Sequence, residues 1–342
     1  MGKIPGVFAP RTPSAKNQEI VRGLIAENLE SVNRLPRPVL AKLVPALSQA
    51  QHEVERELRA WLAKQAGDSR FTAQVLRNAL VNIRTSMKHI KGLQPTLMDG
   101  LRIGSQRAGL LATGTLEKDL ARFANIFEGT VKPITLDVAA IIARSDRELQ
   151  PRFLETSIEY PKTISEDIRK ALMVGRIRGE TMNELTNRLN HELPVRFAKH
   201  RYFAERIART ETMHAYNTYH YEGIRDAHRE DRGVQMRWDA SYDRRRCAYC
   251  ASLDGKIVDV GDSFEAEWTS TLSTGGNASF KRTSERPPAH PNCRCVLVPW
   301  HEDWADVPGR DWAPPIPGSK EAASLAKSQT SRDVRNAGVS KH

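Results

Sequence analysis

The residues best suited to chemistry stand in two short clusters. The chain has four cysteines, Cys247, Cys250, Cys293 and Cys295. The first pair forms Cys247-Ala-Tyr-Cys250, and the second lies in His290-Pro-Asn-Cys293-Arg-Cys295. A C-x-x-C turn can aim two thiolates at one ion, and an H-x-x-C turn can aim an imidazole and a thiolate. On a strand, residues 293 and 295 point to the same face. Any four of the five groups Cys247, Cys250, His290, Cys293 and Cys295 could therefore build a tetrahedral zinc site. The 42 residues between Cys250 and Cys293 exceed ordinary zinc-ribbon spacing. Structural zinc is the expectation, and free buried thiols or a disulfide are the alternatives. A closed four-ligand site leaves no position for a reacting water, so the spare fifth donor alone keeps a catalytic ion open.

Other chemistries find little support. Zinc deaminases pair H-x-E with a later P-C-x-x-C. Here the order is reversed, and no glutamate stands two residues after His290. The G-x-S-x-G, G-x-x-x-x-G-K-[ST] and H-E-x-x-H patterns are missing. Glu211 shares a helical face with Ile207 and Ala215, which predicts partial burial and an arginine or backbone partner. A helical ion pair is the plain reading of Arg206, Arg209 and Glu211, and an active-site carboxylate the sharper one. The expectation is a non-enzyme.

The elements that must position these groups follow from hydrophobic period. Residues 1–17 read as an extended arm rich in proline. Pro36, Pro38 and Pro45 interrupt a helical pattern. Val54, Leu58, Trp61 and Leu62 mark one helix face. Phe71, Val75, Ala79, Ile83, Met87 and Ile90 mark the next, ended by Gly92 and Pro95. A further helix spans roughly 96–127, loosened by four glycines. The stretch 136–144 fits helix or strand, and Pro151 and Pro161 bracket a candidate domain junction. Ser165 can cap a helix that Gly179 ends. Thr181 and Glu184 form a capping box for a short helix, and Pro194 opens a longer one. Val234, Met236 and Trp238 alternate as in a half-buried strand. Asp254-Gly255 marks a tight turn before Ile257 and Val258. Residues 269–286 read as a flexible polar insertion, and 296–298 as a last apolar strand.

Charge adds a partner class. The net charge is +11. Residues 1–118 hold 18 lysines and arginines against 9 acidic residues. Such a segment seeks nucleic acid or an acidic partner surface, or is simply solvated. No apolar run approaches the ~20 residues of a membrane span, and no signal peptide is evident at the N-terminus.

The order of I-R-G-E-T-M-N-E-L, A-R-T-E, W-D-A-S-Y-D-R-R-R-C-A-Y-C-A-S-L-D-G-K and P-P-A-H-P-N-C-R-C resembles the Mu F-like family of phage head morphogenesis proteins. The resemblance covers roughly 163–299. It implies a minor capsid or minor head protein of the virion head, assembled in the host cytoplasm. It also implies association with the portal protein and other head or scaffold components, a place in DNA packaging, and possible non-specific DNA contact. The expected fold class is α+β: a mainly helical N-terminal region, then a compact domain of helices packed on a small antiparallel sheet with a Cys/His cluster. The expected division is 1–150 as a basic helical region contacting portal or DNA, 151–300 as the Mu F-like domain, and 301–342 as a disordered tail. The rival readings are a zinc-bearing nucleic-acid-binding protein and a toxin-linked effector module.

Overall fold

A computed structural model describes residue 28 and residues 30–65, 70–126, 134–240, 246–271 and 277–301. The expected N-terminal arm and the 302–342 part of the expected tail lie outside them. Among the described residues five long helices follow one another: α1 (Arg37–Lys64), α2 (Ala73–Lys91), α3 (Leu93–Ile126), α4 (Val138–Arg178) and α5 (Met182–Glu230). Strand β1 (Val234–Asp239), the short helix α6 (Ala248–Leu253) and strands β2 (Ile257–Val258), β3 (Phe264–Thr271), β4 (Asn277–Ser284) and β5 (Val296–His301) follow. The fold class is the α+β expected.

The described residues divide between two compact units. One takes in those of Met1–Asn33, Leu110–Ile141 and Tyr216–His342, the other Arg34–Gly109 and Ile142–Ala215. No break marks residue 150, because α4 runs through it.

In the second unit the helices bury apolar stripes. On α1 the buried side chains are Val39, Leu43, Leu47, Val54, Leu58, Trp61 and Leu62. Pro45 lies inside α1, and Pro151 and Pro161 lie inside α4. A proline forfeits one helical hydrogen bond and forces a kink or a local adjustment. Here packing of the faces outweighs that cost, so the prolines that suggest breaks from sequence do not end the helices. The same holds for Pro194 inside α5, where two expected helices are one. Ser165 is interior to α4, its hydroxyl donating to the Pro161 carbonyl at 3.0 Å, and caps nothing.

Between α4 and α5 the chain reverses at Gly179, whose φ of 66° favours glycine. The expected capping box is present. Glu184 accepts the Thr181 N–H at 2.8 Å, and the Thr181 hydroxyl accepts the Glu184 N–H at 3.2 Å. Arg188 then donates to Glu180 at 2.9 Å and to the Ala171 carbonyl at 2.9 Å. Arg196 reaches Asp167 at 2.8 Å. Tyr160 donates to the His200 carbonyl at 2.9 Å. Opposite charges thus hold the two helices side by side. Glu211 is 5% exposed, and Arg152 donates to both its oxygens, at 2.6 and 3.0 Å.

The first unit holds both sheets. Strands order as β2-β1-β5, all antiparallel, and β3 pairs with β4 as a separate hairpin. Two expectations change here. Strand β1 is buried on both faces rather than half-buried, since Arg237 and Asp239 are as covered as Met236 and Trp238. Burial of those charges is tolerated because they pair at 3.2 Å and Arg237 stacks over Trp300 at 4.9 Å. The polar stretch read as a flexible insertion supplies β4 and one end of β3. Its pairing with residues before it, such as Trp268 with Phe280 and Glu267 with Lys281, gives an ordered hairpin on both sides of residues 272–276. The aromatic pair stacks at 5.3 Å, a cross-strand contact that sequence composition hides.

Candidate metal centre

Strand β1 and β5 run antiparallel, with Trp238 opposite Leu297 and Asp239 opposite Val296. This register brings the chain after β1 close to the chain before β5. Helix α6 leads out of the first, and the 287–295 segment leads into the second. Cys247 is the N-cap of α6, and its sulfur accepts the Cys250 N–H at 3.4 Å. That bond turns both sulfurs to one side. On the other segment, the Cys293 N–H donates to the His290 carbonyl at 3.0 Å. Asn292 closes this turn with φ of 64°, a conformation asparagine tolerates better than most residues.

All five residues singled out by type and spacing meet. His290 Nε2 lies 3.2 Å from the Cys247 sulfur and 3.0 Å from the Cys250 sulfur. The Cys250 and Cys293 sulfurs are 3.8 Å apart. The donors of Cys247, Cys250 and His290 lie within 4.8 Å of one another, as do those of Cys250, Cys293 and Cys295. Cys250 is common to both groups. The cysteines are free thiols, so no disulfide joins them. Cys250, Cys293 and Cys295 are buried, while Cys247 and His290 are half-buried. A cavity of about 20 Å³ lies among them, bordered also by Arg246, Asn292 and Arg294.

The electrostatics are those of thiols facing a base. Hydrogen bonding to Cys250, and then to His290, pulls the Cys247 thiol down to about 4. Hydrogen bonding to Cys247 pushes His290 up to about 9. The pair is therefore held as thiolate and imidazolium. Burial pushes the Cys295 thiol up. Cys293 is drawn down, first by its bond to Cys250, and Cys250 is pushed up, first by Cys247. His290 Nδ1 sits 2.8 Å from the Pro291 carbonyl, to which it donates, so Nε2 is the nitrogen directed at the sulfurs.

The donor set fits a borderline-soft divalent ion. Thiolate sulfurs around tetrahedral zinc, at about 2.3 Å from it, stand about 3.8 Å from each other. The Cys250–Cys293 separation already matches that spacing. An ion in the cavity would replace the Nε2 proton and bind the sulfurs that now share hydrogen bonds.

Several residues that hold this arrangement carry no local signal. Asn217 on α5 donates to the Cys295 carbonyl at 3.2 Å and accepts the Leu297 N–H at 3.0 Å. One side chain thus anchors the start of β5 and Cys295 just before it, since Cys293 and Cys295 precede the strand rather than lie on it. Asp254 accepts the Ala240 N–H at 2.9 Å and a bond from Arg246 at 3.0 Å. Burial pushes its carboxyl up to about 6. The Asp254-Gly255 turn was readable from sequence, but the role of the Asp254 carboxylate was not. Glu211, the other residue weighed for chemistry, pairs with Arg152 within the helical unit and is not among the groups around the cavity.

Residues 164–298 match the family described as Phage Mu protein F like protein. That stretch coincides with the resemblance read from sequence and includes all five donors. The match supports a phage head morphogenesis protein. The chain is also similar to NAD(+)–arginine ADP-ribosyltransferase EFV of Enterococcus faecalis (strain ATCC 700802 / V583), at 25% identity over 140 residues. Those residues are 41% of this chain and 26% of that protein, so the chain spans about a quarter of the relative's length. No solved structure matches. Among the described residues no helix is long and apolar enough to cross a membrane.

Proposed function

We propose that the protein is a minor structural and assembly component of a tailed-phage head, located in the virion and acting without catalysis. It joins the head through the portal protein or neighbouring head and scaffold components during procapsid assembly. The family match over 164–298 carries this reading. The basic first third suits an acidic portal surface or packaged DNA, through phosphate contacts that carry no sequence preference. Co-purification with the portal protein tests the partner. Capture that survives nuclease supports a protein contact, and capture lost with nuclease assigns it to DNA instead. Failure to co-purify with portal or to enter heads overturns the reading.

The Cys/His cluster is proposed to hold one structural zinc ion. Cys247, Cys250, Cys293, Cys295 and His290 supply four ligands from five donors. The ion's part is to cross-link α6 to the segment before β5, in a region with a small apolar core. The observation behind it is the convergence of five sulfur and nitrogen donors on one small cavity. Elemental analysis of reduced, folded protein tests it, and a zinc content near zero overturns it.

A further inference from the structure

The chain enters α6 through Arg246 and leaves it at Asp254. The two side chains, 7% and 3% exposed, meet at 3.0 Å. The same carboxylate also receives the Ala240 N–H just past β1. One acid therefore ties three points: the exit of β1, the residue before the first donor cysteine, and the end of the helix bearing Cys250. Arg246 in addition borders the donor cavity itself.

Burying a charged pair is costly in general, and hydrophobic residues of like shape often serve stability better. A plain clamp would not need a charge at the cavity wall. The centre does need one. A divalent ion bound by three thiolates and a neutral imidazole carries one net negative charge, and with four thiolates it carries two. Burial of that anion calls for a nearby cation. An arginine, charged at every accessible pH, meets the need without titrating.

We infer that Arg246, held in place by Asp254, is a positioning residue of the Cys/His centre. It keeps the two α6 thiols where they stand and supplies the cationic counter-charge to the thiolate-bound ion. The inference rests on the zinc reading above. Outer partners of metal ligands typically change affinity by about 10–100-fold when removed, and that is the effect expected here.

The test uses the full chain, reduced, with zinc affinity read by chelator competition. Arg246→Gln and Asp254→Asn should each bind zinc about 10–100-fold more weakly. Arg246→Lys should recover most of the loss. Lys281→Gln, on the exposed hairpin where Lys281 pairs with Glu265 at 3.2 Å, removes the same charge and should change nothing. Loaded with cobalt(II), Arg246→Gln should show shifted thiolate-to-metal and ligand-field bands, a readout that a purely structural clamp leaves alone. If the wild type takes up no zinc, the zinc reading fails. If the wild type holds zinc and Arg246→Gln holds it equally tightly with an unchanged cobalt spectrum, the zinc reading stands and this inference is overturned. Should Arg246→Gln not fold, Asp254→Asn decides alone, since asparagine keeps an acceptor for the Ala240 N–H but removes the ionic tie that holds Arg246. Wild-type affinity and spectrum in that variant overturn the inference.

Discussion

The α4–α5 helical pair and the β1–β5 region bury their residues by different means. The helical pair carries apolar side chains at helical spacing, such as Phe153, Ile164, Ile168, Leu185, Leu189 and Phe197. Its charges sit mostly at the margins, where Arg188, Arg196, Glu180, Glu192 and Asp167 clasp the two helices. The strand region has large aromatics, Trp238 and Trp300, but also buries Arg237, Asp239, Arg246 and Asp254. Beside these it places four thiols and an imidazole. A helix satisfies its own backbone, so its burial can be almost wholly apolar. A small sheet of three strands, one only two residues long, encloses much less apolar volume, and polar groups fill the remainder. Small cores of this sort often depend on a cross-link.

That contrast breaks most sharply at Cys250, which belongs to both donor groups. Cys250→Ser should abolish zinc retention and the near-ultraviolet circular dichroism of Trp238 and Trp300. Far-ultraviolet helical signal should largely survive, because the helical unit contains none of the donors. Chelation of the wild type should give the same picture. Loss of helix in parallel with the tryptophan signal would show that the two regions do not differ in this way.

A second effect, of about 3 kcal/mol, concerns His220 on α5. Burial pushes it down to about 4, whereas an unfolded histidine titrates near 6.5. Its stability contribution is fully present above about pH 6.5. As pH falls towards 4, the unfolded chain takes up a proton that the fold refuses, at a cost of about 1.4 kcal/mol per pH unit. His220→Gln should remove this share. The stability difference between variant and wild type should therefore move by about 3 kcal/mol in favour of the variant between pH 7 and 4. Denaturant titration at both pH values measures it. A constant difference would mean that His220 does not titrate as its burial requires.

Within the helical pair the largest single charge effect should come from Arg152→Ala. It strands the Glu211 carboxylate, which is 5% exposed. Loss of a partner in a fully buried pair costs about 3–5 kcal/mol. The Arg152 side chain is 42% exposed, so about 2 kcal/mol is expected after allowance for solvent. The Arg152→Ala, Glu211→Gln double variant should recover part of the loss. Equal stability of wild type and Arg152→Ala would mark the bond as surface decoration.

The smallest effect is Thr181→Ala, which opens the capping box at the start of α5 and should cost about 1 kcal/mol. Zinc content should be unchanged. A coupled loss of zinc would tie the helical pair to the donor cluster, contrary to the separation drawn above.

Much of the donor cluster was legible because ligand type and short spacing are local. Cys247 and Cys250 share one turn of α6, and His290 and Cys293 share another tight turn. The helical spacing predicts a partly buried Glu211 with an arginine or backbone partner; the partner is an arginine, but it is Arg152, 59 residues away, and not a helical neighbour. Asn217 carries no signal in the sequence, because an asparagine on a helix looks like any polar residue until β5 lies beside it. The 269–286 stretch reads as flexible because Ser, Thr and Gly dominate it. Its order comes from pairing with Phe264–Thr271, which composition alone does not register.

By itself, then, the sequence determined what depends on near neighbours: the helical stripe of α1, the Thr181–Glu184 cap, the last apolar strand and the short spacings that group the cysteines with His290. The tertiary structure decided what depends on distant partners. It carried α1, α4 and α5 through their prolines, buried both faces of β1, and set Asn217 against Cys295, 78 residues on. It also brought Cys250 to Cys293 across 42 intervening residues. The physical reason is that period, caps and ligand spacing act within a few residues. Pairing and burial are free energies of contact, and the chain can make those contacts only once its separate parts have packed.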